Sequence, residues 1–594
     1  MISHLSLIGS VTGVDAAVFF ACMSLLVIAG IRSAHGQRSA SGYFMAGRGL
    51  PWWSVAGSIY GTNVSLSQII GMLGIGYSIG FAQSHYELLA VPAILLLAWV
   101  FVPAYRSRQI FTLSEFIGGR YNESARLLYT LIIIAVIIIL LVGGLYIGSR
   151  QLGLLFAGTV IQPTYLQGIL FIAGVSCLLI FSGGMHAVVT AENIITVLMV
   201  IAVITVGLCT LSRPEIGGFT GLMAMDGAAA GMGKMHLYLP SDHPDLPWTG
   251  VFSGLLVLHG FFWTTNQFEV QRVLAARSDQ DARLGAIAAG FLKLTIPFFS
   301  IAAGVAAAYL FRDRYGMAGV KPDDAFMVLL GEVVPRGYGL VGLILAGFLG
   351  AVFSSIYSML NSLSTVAAVD LYKRHLNTGA SDEQLVRVGR MAVVFACVLG
   401  VVLAWWSFDP RSDGNFFLVL SKNTSYLKPG IVSAFFLGVL WRRVHPASGA
   451  AAIVAAPLLS VAVEWLYDGW LGRIPAVRQL FGVELNFLHR VFVVFVLCVL
   501  LQVLMSLRSR QVAKAEVLET GGGIRWWMVW VFGISNLAMI AAVMLLNVPS
   551  DLMAWMAGPL TLLLMTGGRK LPASEHFWSA LLAAVTVWAL YWFG

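Results

Sequence analysis

Long apolar stretches recur along the entire chain and constrain its fold more than any other feature. A helix that crosses a bilayer needs roughly 20 consecutive apolar residues, and about 16 stretches of the 594-residue sequence come near or above that length. The chain is 58% hydrophobic and 11% charged, whereas soluble domains carry roughly 25% charged residues. The sequence therefore predicts an all-α integral membrane protein in a lipid bilayer. The predicted spans are 14–32, 51–79, 81–105, 124–151, 160–183, 187–211, 247–275, 283–311, 338–370, 386–407, 413–441, 446–468, 487–507, 524–546, 550–567 and 572–593.

The basic residues are distributed unevenly between the two sides of the predicted bundle. With a non-cytoplasmic N-terminus, the cytoplasmic connections hold about twice as many Lys and Arg residues as the opposite side. This bias follows the positive-inside rule and accounts for the net charge of +8 without a nucleic acid partner. We expect a multi-pass protein of the plasma membrane, such as a bacterial inner membrane. The sequence does not indicate an oligomeric state.

The sequence carries no motif that is typical of an enzyme. Its five cysteines lie within apolar stretches and lack metal or redox spacing. No Ser/His/Asp set, phosphate loop or metal cluster stands out. The longest connection, about 212–246, is too short to hold an ATPase or a kinase. We therefore expect a transporter that uses an ion or solute gradient, or a passive pore, and not an enzyme.

Two of the predicted helices are interrupted by polar residues. The second span (51–79) contains "GSIYGTNVSLSQ" (57–68). The seventh span (247–275), five spans later, is interrupted by "TTNQ" (264–267). A break at membrane depth is tolerated only where the freed backbone is buried in protein or lines a cavity. Small residues could instead mark helix–helix contacts. However, paired breaks at corresponding positions of two five-helix sets are typical of inverted-repeat transporters, whose freed carbonyls bind Na⁺.

The span 338–370 carries a stripe of small polar side chains. On a helix, three- and four-residue steps place residues on one face. The stripe faces either a partner helix, through interhelical hydrogen bonds, or a small cation. Its members are Ala351, Ser354, Ser355, Ser358 and Ser362.

Four motifs follow one another in order along the chain: "NQFEVQRVLAARS" (266–278), "FLKLTIPFF" (291–299), "FSSIYSMLNSLSTVAAVDLYKR" (353–374) and "KPGIVSAFFLGVLWRR" (428–443). They resemble the sodium/solute symporter family, and the sodium/glucose cotransporter branch in particular. The resemblance extends over about residues 10–445. It implies a LeuT-type 5+5 inverted-repeat bundle of about 14–16 transmembrane helices in total. The expected parts are an N-terminal helix and link (1–45), a ten-helix transport core (46–445) and additional C-terminal helices (446–594).

The resemblance also implies sodium as the coupling ion and a set of neutral oxygens that bind it. Neutral ligands suit Na⁺ because no fixed negative charge holds the ion too tightly to leave. The implied ligands are the backbone carbonyls of Gly61, Val64 and Ala351 and the hydroxyls of Ser354 and Ser355. Glu192 stands where the family has a carboxylate implicated in ion release or a second ion site; the alternative for this residue is a structural ion pair.

Some residues of the implied solute site match the family pattern, and others differ from it. Gln68, Glu87 and Lys293 stand where sugar transporters bind hydroxyls, and Phe262 and Trp263 match the aromatic pair that gates the sugar. Two further substrate positions depart from the pattern, because His259 replaces an Asn and Ser421 replaces a Gln.

Extra charges lie beside this site. Glu269, Lys422 and Lys428 could pair with one another, or they could adapt the site to an anionic or differently hydroxylated solute.

The resulting hypothesis is a sodium-coupled symporter that imports a small polar solute, a sugar or polyol, by alternating access. One alternative keeps the fold and changes the solute to a carboxylate or amino acid, with Lys422 or Lys428 holding the anion. Another is a gated sensor or a passive pore, which would show no concentrative uptake.

Overall fold

The computed structural model describes residues 11–33, 39–64, 66–156, 162–228, 233–315, 320–407, 416–509, 550–566 and 574–593. Within these ranges the secondary structure is helical. The described ranges contain no strand, only isolated parallel bridges such as the one between Leu50 and Ala276. The predicted all-α membrane bundle is confirmed. The predicted span 524–546 lies outside the described residues, and the division into 1–45, 46–445 and 446–594 stays a prediction.

The helices follow one another closely in the sequence. The first are α1 (Gly13–Ser33), α2 (Ala40–Met45), α3 (Trp52–Asn63), α4 (Leu66–Ser78), α5 (His85–Leu88), α6 (Ala90–Leu96), α7 (Val102–Arg106), α8 (Leu113–Arg120), α9 (Glu123–Leu155), α10 (Tyr165–Leu211) and α11 (Gly218–Ala228). The middle of the chain holds α12 (Trp248–Gly250), α13 (Leu256–Gly260), α14 (Gln267–Leu274), α15 (Asp279–Lys293), α16 (Ala302–Tyr315), α17 (Ala325–Val333) and α18 (Leu340–Val366). The last are α19 (Asp382–Ser407), α20 (Phe416–Thr424), α21 (Lys428–Leu440), α22 (Ser448–Gly469), α23 (Pro475–Phe481), α24 (Phe487–Arg508), α25 (Ser550–Thr566) and α26 (Ser574–Trp592).

Nine helical runs in the described part of the chain are long and apolar enough to cross a membrane. Some of them join shorter helices through π-helical turns, such as Leu97–Phe101 between α6 and α7. The predicted spans 160–183 and 187–211 correspond to the two helices that make up α10, which meet at a kink where Gly184 is not helical (φ 54°, ψ −146°). A side chain at Gly184 would collide with the Tyr43 carbonyl.

The interrupted helices lie at the centre of the bundle. α3 packs against α10, α15 and α18, and α14 packs against α3 and α18. The start of α3 is also tied to the end of α14, since Leu50 N donates to Ala275 O at 3.1 Å and Arg277 N donates to Leu50 O at 2.9 Å. The two interrupted segments therefore contact each other and share α18 as a neighbour.

Candidate ion and solute site

The first interruption ends α3 at its buried terminus. Val64 leaves helical geometry (φ −80°, ψ 74°) directly after Asn63, and α4 resumes at Leu66. Residues from Ser54 to Val64 are all buried. The freed backbone therefore lies inside the protein, as a break at membrane depth requires.

The second interruption lies at Asn266, within the predicted "TTNQ" stretch. Asn266 is extended (φ −93°, ψ 122°) between the π-helical turn Phe261–Thr265 and α14. Two tyrosine hydroxyls satisfy carbonyls that the break frees: Tyr105 donates to Thr264 O at 2.7 Å and Tyr129 donates to Thr265 O at 2.8 Å. This break is thus held open by side chains of neighbouring helices.

The sodium positions expected from the resemblance lie where α18 passes the first break. Ser354 Oγ donates to Gly61 O at 2.6 Å, and Ser355 Oγ donates to Ala351 O at 3.2 Å. Val64, the remaining member, is buried at the end of α3. Hard cations take oxygen ligands, so these neutral carbonyl and hydroxyl oxygens fit Na⁺.

Gly61 permits the close approach that this oxygen cluster needs. A Cβ at this position would lie 2.9 Å from Thr196 Oγ1 and 3.3 Å from Ser354 Oγ. Any side chain at Gly61 would therefore fill the space between α3, α10 and α18.

Glu192 is fully buried one turn away from this oxygen cluster, between α3, α10, α14 and α18. Its carboxylate accepts hydrogen bonds from Ser58 and Ser358 and from Thr62 Oγ1 at 3.1 Å. Arg272 Nη2 pairs with it at 2.9 Å, with neither side chain exposed. The negative charge is therefore neutralised by one cation and surrounded by hydroxyl donors, as a buried charge requires.

Gln68, Glu87 and Lys293 come together from three different helices. Lys293 Nζ lies 2.6 Å from Glu87 Oε2, and Gln68 Nε2 donates to Glu87 Oε1 at 2.6 Å. Lys293 also donates to Asn63 Oδ1, beside the first break. Both charges of the pair are thus compensated by direct contacts within the bundle.

A cavity of about 170 Å³ lies between the two breaks. Most of the residues expected to bind or gate the solute line it. Lys293 Nζ lies 5.3 Å from the centroid of the Trp263 ring, which stands edge-on to Phe262 at 5.5 Å. Glu87 is not among the lining residues and lies behind Lys293 and Gln68. The expected residues that do line the cavity are Gln68, His259, Phe262, Trp263, Lys293, Ser355 and Ser421.

Polar atoms without a hydrogen-bond partner in the described structure face this cavity. The side-chain oxygen and nitrogen of Asn266 lack such a partner, and so does Nε2 of His259. Asn266 is fully buried and His259 is 7% exposed. Buried polar groups are normally hydrogen-bonded, so these atoms indicate a place for a polar ligand.

The extra charges do not pair with one another. Lys428 lines the cavity, whereas Lys422 is exposed on α20. Glu269 is buried, and neither of its carboxylate oxygens has a hydrogen-bond partner within the described ranges. Its ionisable neighbours are Arg272, Lys293 and Glu192.

Some members of these networks were not predicted from the sequence. They are Arg272, the partner of Glu192, and the asparagines Asn63 and Asn266. An arginine inside an apolar span is a signal that could have been used, because ionisable residues within a membrane are rare and paired. The two asparagines lie in the breaks that the sequence itself marked.

Comparisons with known proteins agree with this architecture. The sequence model of the sodium:solute symporter family matches residues 43–454. The chain is 30% identical to the sodium/glucose cotransporter of Vibrio parahaemolyticus over 469 residues, which are 75% of this chain and 83% of that protein. It is also 30% identical to the sodium/myo-inositol cotransporter 2 of Homo sapiens over 455 residues, which are 71% of this chain and just under two thirds, 65%, of that relative.

A solved structure has the same fold. The substrate-bound outward-open state of a Na⁺-coupled sialic acid symporter superposes with a TM-score of 0.71 at 20% sequence identity. The superposition covers 84% of this chain and 99% of the other. With its broken helices, the cavity between them and a family match over most of its length, the chain belongs to the sodium:solute symporter family, whose coupling ion is sodium.

Proposed function

We propose that this protein imports a small polyhydroxylated solute, a sugar or a polyol, together with Na⁺ by alternating access. The observation that carries the proposal is the cavity between the two breaks, where the buried polar atoms of Asn266 and His259 lack partners within the described chain. Solute hydroxyls, which both donate and accept hydrogen bonds, would satisfy such groups. The named relatives, cotransporters of glucose and of myo-inositol, are consistent with solutes of this kind.

Sodium would bind to the oxygens of Gly61, Val64, Ala351, Ser354 and Ser355. The Ser354 hydroxyl donates to the Gly61 carbonyl and holds α18 against α3. An ion between these oxygens would replace that hydrogen bond and tie the same two helices together more strongly. Sodium binding would thereby favour the conformation in which the solute cavity is complete.

The solute would contact Gln68 and Lys293, with Trp263 and Phe262 closing over it. Glu87 would act as a positioning residue, because it contacts both Gln68 and Lys293 from behind the cavity wall. Ser421 and His259 would complete the set of hydroxyl partners from α20 and α13. Glu192 would receive the departing ion, since it lies one turn from the sodium oxygens, against Thr62 and Ser358.

The driving force is sufficient for concentrative uptake. Moving one Na⁺ down 100 mV contributes about 2.3 kcal/mol, and a tenfold sodium gradient adds about 1.4 kcal/mol. Their combination supports roughly several-hundred-fold accumulation of a neutral solute. We further propose that the protein lies in the plasma membrane with its N-terminus on the non-cytoplasmic side, in line with the distribution of basic residues.

Uptake into proteoliposomes tests the proposal. Purified full-length protein would be given labelled D-glucose, D-galactose or myo-inositol with an inward gradient of Na⁺ or, as the control, of K⁺. We expect accumulation above the external concentration with Na⁺ only, and a collapse of the accumulated label when the gradient is dissipated. Equilibration without accumulation would contradict the proposal and favour a passive pore.

A further inference from the structure

The charges on the cavity wall do not balance. Lys293 and Lys428 both line the cavity, and no Asp or Glu is among the lining residues that the structure describes. Lys293 is neutralised from behind by Glu87 at 2.6 Å. The net charge of the cavity wall therefore depends on Lys428.

Lys428 has no acidic partner in the described part of the chain. Its Nζ lies 5.5 Å from the centroid of the Phe261 ring, a cation–π contact with another wall residue. The ion pairs of the described residues involve other lysines and arginines. Such a contact stabilises an ammonium only modestly. The cavity thus presents an uncompensated positive charge.

We infer that Lys428 binds the carboxylate of the transported solute, which is a hydroxylated monocarboxylic acid of sugar size. The inference rests on the proposed sodium symport of a small polyhydroxylated solute and makes the preferred solute a sugar acid, with neutral sugars as weaker ligands of the same site. A carboxylate and an ammonium form a charge-assisted hydrogen bond, about twice as strong as a neutral one. The anion would leave the buried wall neutral, whereas a neutral sugar would leave the Lys428 charge uncompensated.

The same wall disfavours an amino acid. An α-ammonium group needs a carboxylate or several carbonyl acceptors, and none of the described lining residues is acidic. Glu87 and Glu269 both lie near Lys293 but outside the lining residues, and both oxygens of Glu87 are already engaged, by Gln68 and by Lys293. In contrast, the free amide of Asn266 and Nε2 of His259 suit hydroxyl groups. The wall therefore fits one carboxylate and several hydroxyls.

Matched pairs of ligands test the inference. D-glucuronate and D-glucose differ in one oxidised carbon, and so do D-gluconate and D-sorbitol. Thermal unfolding of the full-length protein in saturating Na⁺ gives the affinity of each ligand, since a ligand that binds only the native state stabilises it. We expect each acid to bind about 10- to 100-fold more tightly than its neutral partner, the range given by one hydrogen bond between charged groups.

Three variants separate a role in binding from a role in folding. Lys428→Met should reduce the acid-to-neutral affinity ratio by about 10- to 100-fold, whereas Lys428→Arg should keep a preference for the acid. Lys422→Met removes an exposed lysine of the same segment and should behave like the wild type. Stabilisation by Na⁺ alone, measured first, shows whether each variant is folded.

The outcomes distinguish this inference from the proposed function. If the neutral partners bind as tightly as the acids, or if Lys428→Met keeps the full preference, the inference is wrong while sodium-coupled sugar transport stands. If neither acids nor neutral ligands stabilise the protein or accumulate with Na⁺, the proposed function is wrong and the inference falls with it.

Discussion

Glu192 and Arg272 form a buried ion pair whose side chains are entirely shielded from solvent. Removing two charges from water is costly, and their attraction compensates only when hydrogen bonds satisfy the remaining polar atoms. Ser58, Thr62 and Ser358 supply such bonds to the carboxylate. The pair is therefore stable as a unit, and each member depends on the other.

Breaking this pair from one side should destabilise the protein strongly. Arg272→Met leaves Glu192 without its cation and should cost about 3–5 kcal/mol of unfolding free energy. Glu192→Gln should cost a comparable amount. The double variant should cost clearly less than the sum of the two, because no unpaired charge remains. Thermal unfolding in detergent measures all three, and additive losses would contradict a direct pairing.

Some single residues could be predicted from the sequence as functional, but their contacts could not. An acidic residue in an apolar span could be recognised at Glu192, but its partner lies 80 positions along the chain, and only the fold brings the two together. Residue types likewise revealed Lys428 as an extra charge without revealing that it faces the cavity. Only the structure shows that Lys428 lines the cavity whereas Lys422 is exposed, and therefore which of the two lysines can bind an anion there.

Glu87 should affect the solute more than the ion. Glu87→Ala removes the partner of Lys293 and Gln68, so solute affinity should fall at least tenfold because two wall residues lose their positions. Sodium activation should change by less than about threefold, since no sodium position contacts Glu87. Uptake kinetics at varied solute and varied Na⁺ separate the two.

An exposed acidic residue provides the control for this variant. Glu383→Ala lies at the exposed start of α19 and should leave both quantities unchanged. Equal losses of solute affinity and sodium activation in Glu87→Ala would instead indicate a folding role.

At the scale of helices, composition located the two breaks. The Gly-, Ser- and Thr-rich run at 57–68 and "TTNQ" at 264–267 contain the places where α3 ends and α14 begins. What stabilises the breaks could not be read from those segments. Tyr105 and Tyr129, which satisfy carbonyls at the second break, belong to distant helices whose sequences give no hint of this role.

Gly61→Ala should disrupt the packing of α3 against α18. The added methyl group would meet Thr196, Ser354 and the Glu192 carbonyl within 3.3 Å, so the helices must separate and the oxygens of the proposed sodium site move apart. We expect at least a tenfold rise in the Na⁺ concentration for half-maximal stabilisation, and a loss of about 1–3 kcal/mol from overpacking.

A second glycine provides the matched control. Gly174 lies inside α10, and nothing lies within 4 Å of the place that a methyl group would take there, so Gly174→Ala should leave sodium activation unchanged. It should also stabilise α10 slightly, because alanine favours helices over glycine. If Gly61→Ala kept wild-type sodium activation, the two helices would not share an ion.

At the scale of the whole molecule, the C-terminal helices support the cavity wall. Arg490 of α24 pairs with Glu464 of α22 at 2.8 Å and donates to Ser425 Oγ at 2.9 Å. Its guanidinium also lies 3.6 Å from the centroid of the Tyr426 ring. Ser425 and Tyr426 lie three and two residues before Lys428. Helices whose role the sequence left open thus hold the turn that presents this lysine.

Loss of the Arg490 contacts should weaken solute binding, although Arg490 is not among the residues that line the cavity. Arg490→Met releases the turn before Lys428, and we expect solute affinity to fall several-fold, up to about tenfold, for a displaced binding group. Sodium activation should stay near the wild-type value, because the oxygens proposed to bind sodium lie on α3 and α18. Arg508→Met, an exposed position on the same helix, serves as the control. Unchanged solute affinity in Arg490→Met would show that the turn is held by other contacts.

In the proposed mechanism, one Na⁺ joins the first break to α18 through the oxygens around Ser354 and Ser355. Thermal unfolding of purified protein in Na⁺ against equal K⁺ tests it without any knowledge of the solute. Sodium at 100 times its dissociation constant should stabilise the wild type by about 2.7 kcal/mol. The double variant Ser354→Ala/Ser355→Ala should lose this stabilisation, whereas Ser364→Ala, further along α18, should keep it. Full sodium stabilisation in the double variant would contradict the account.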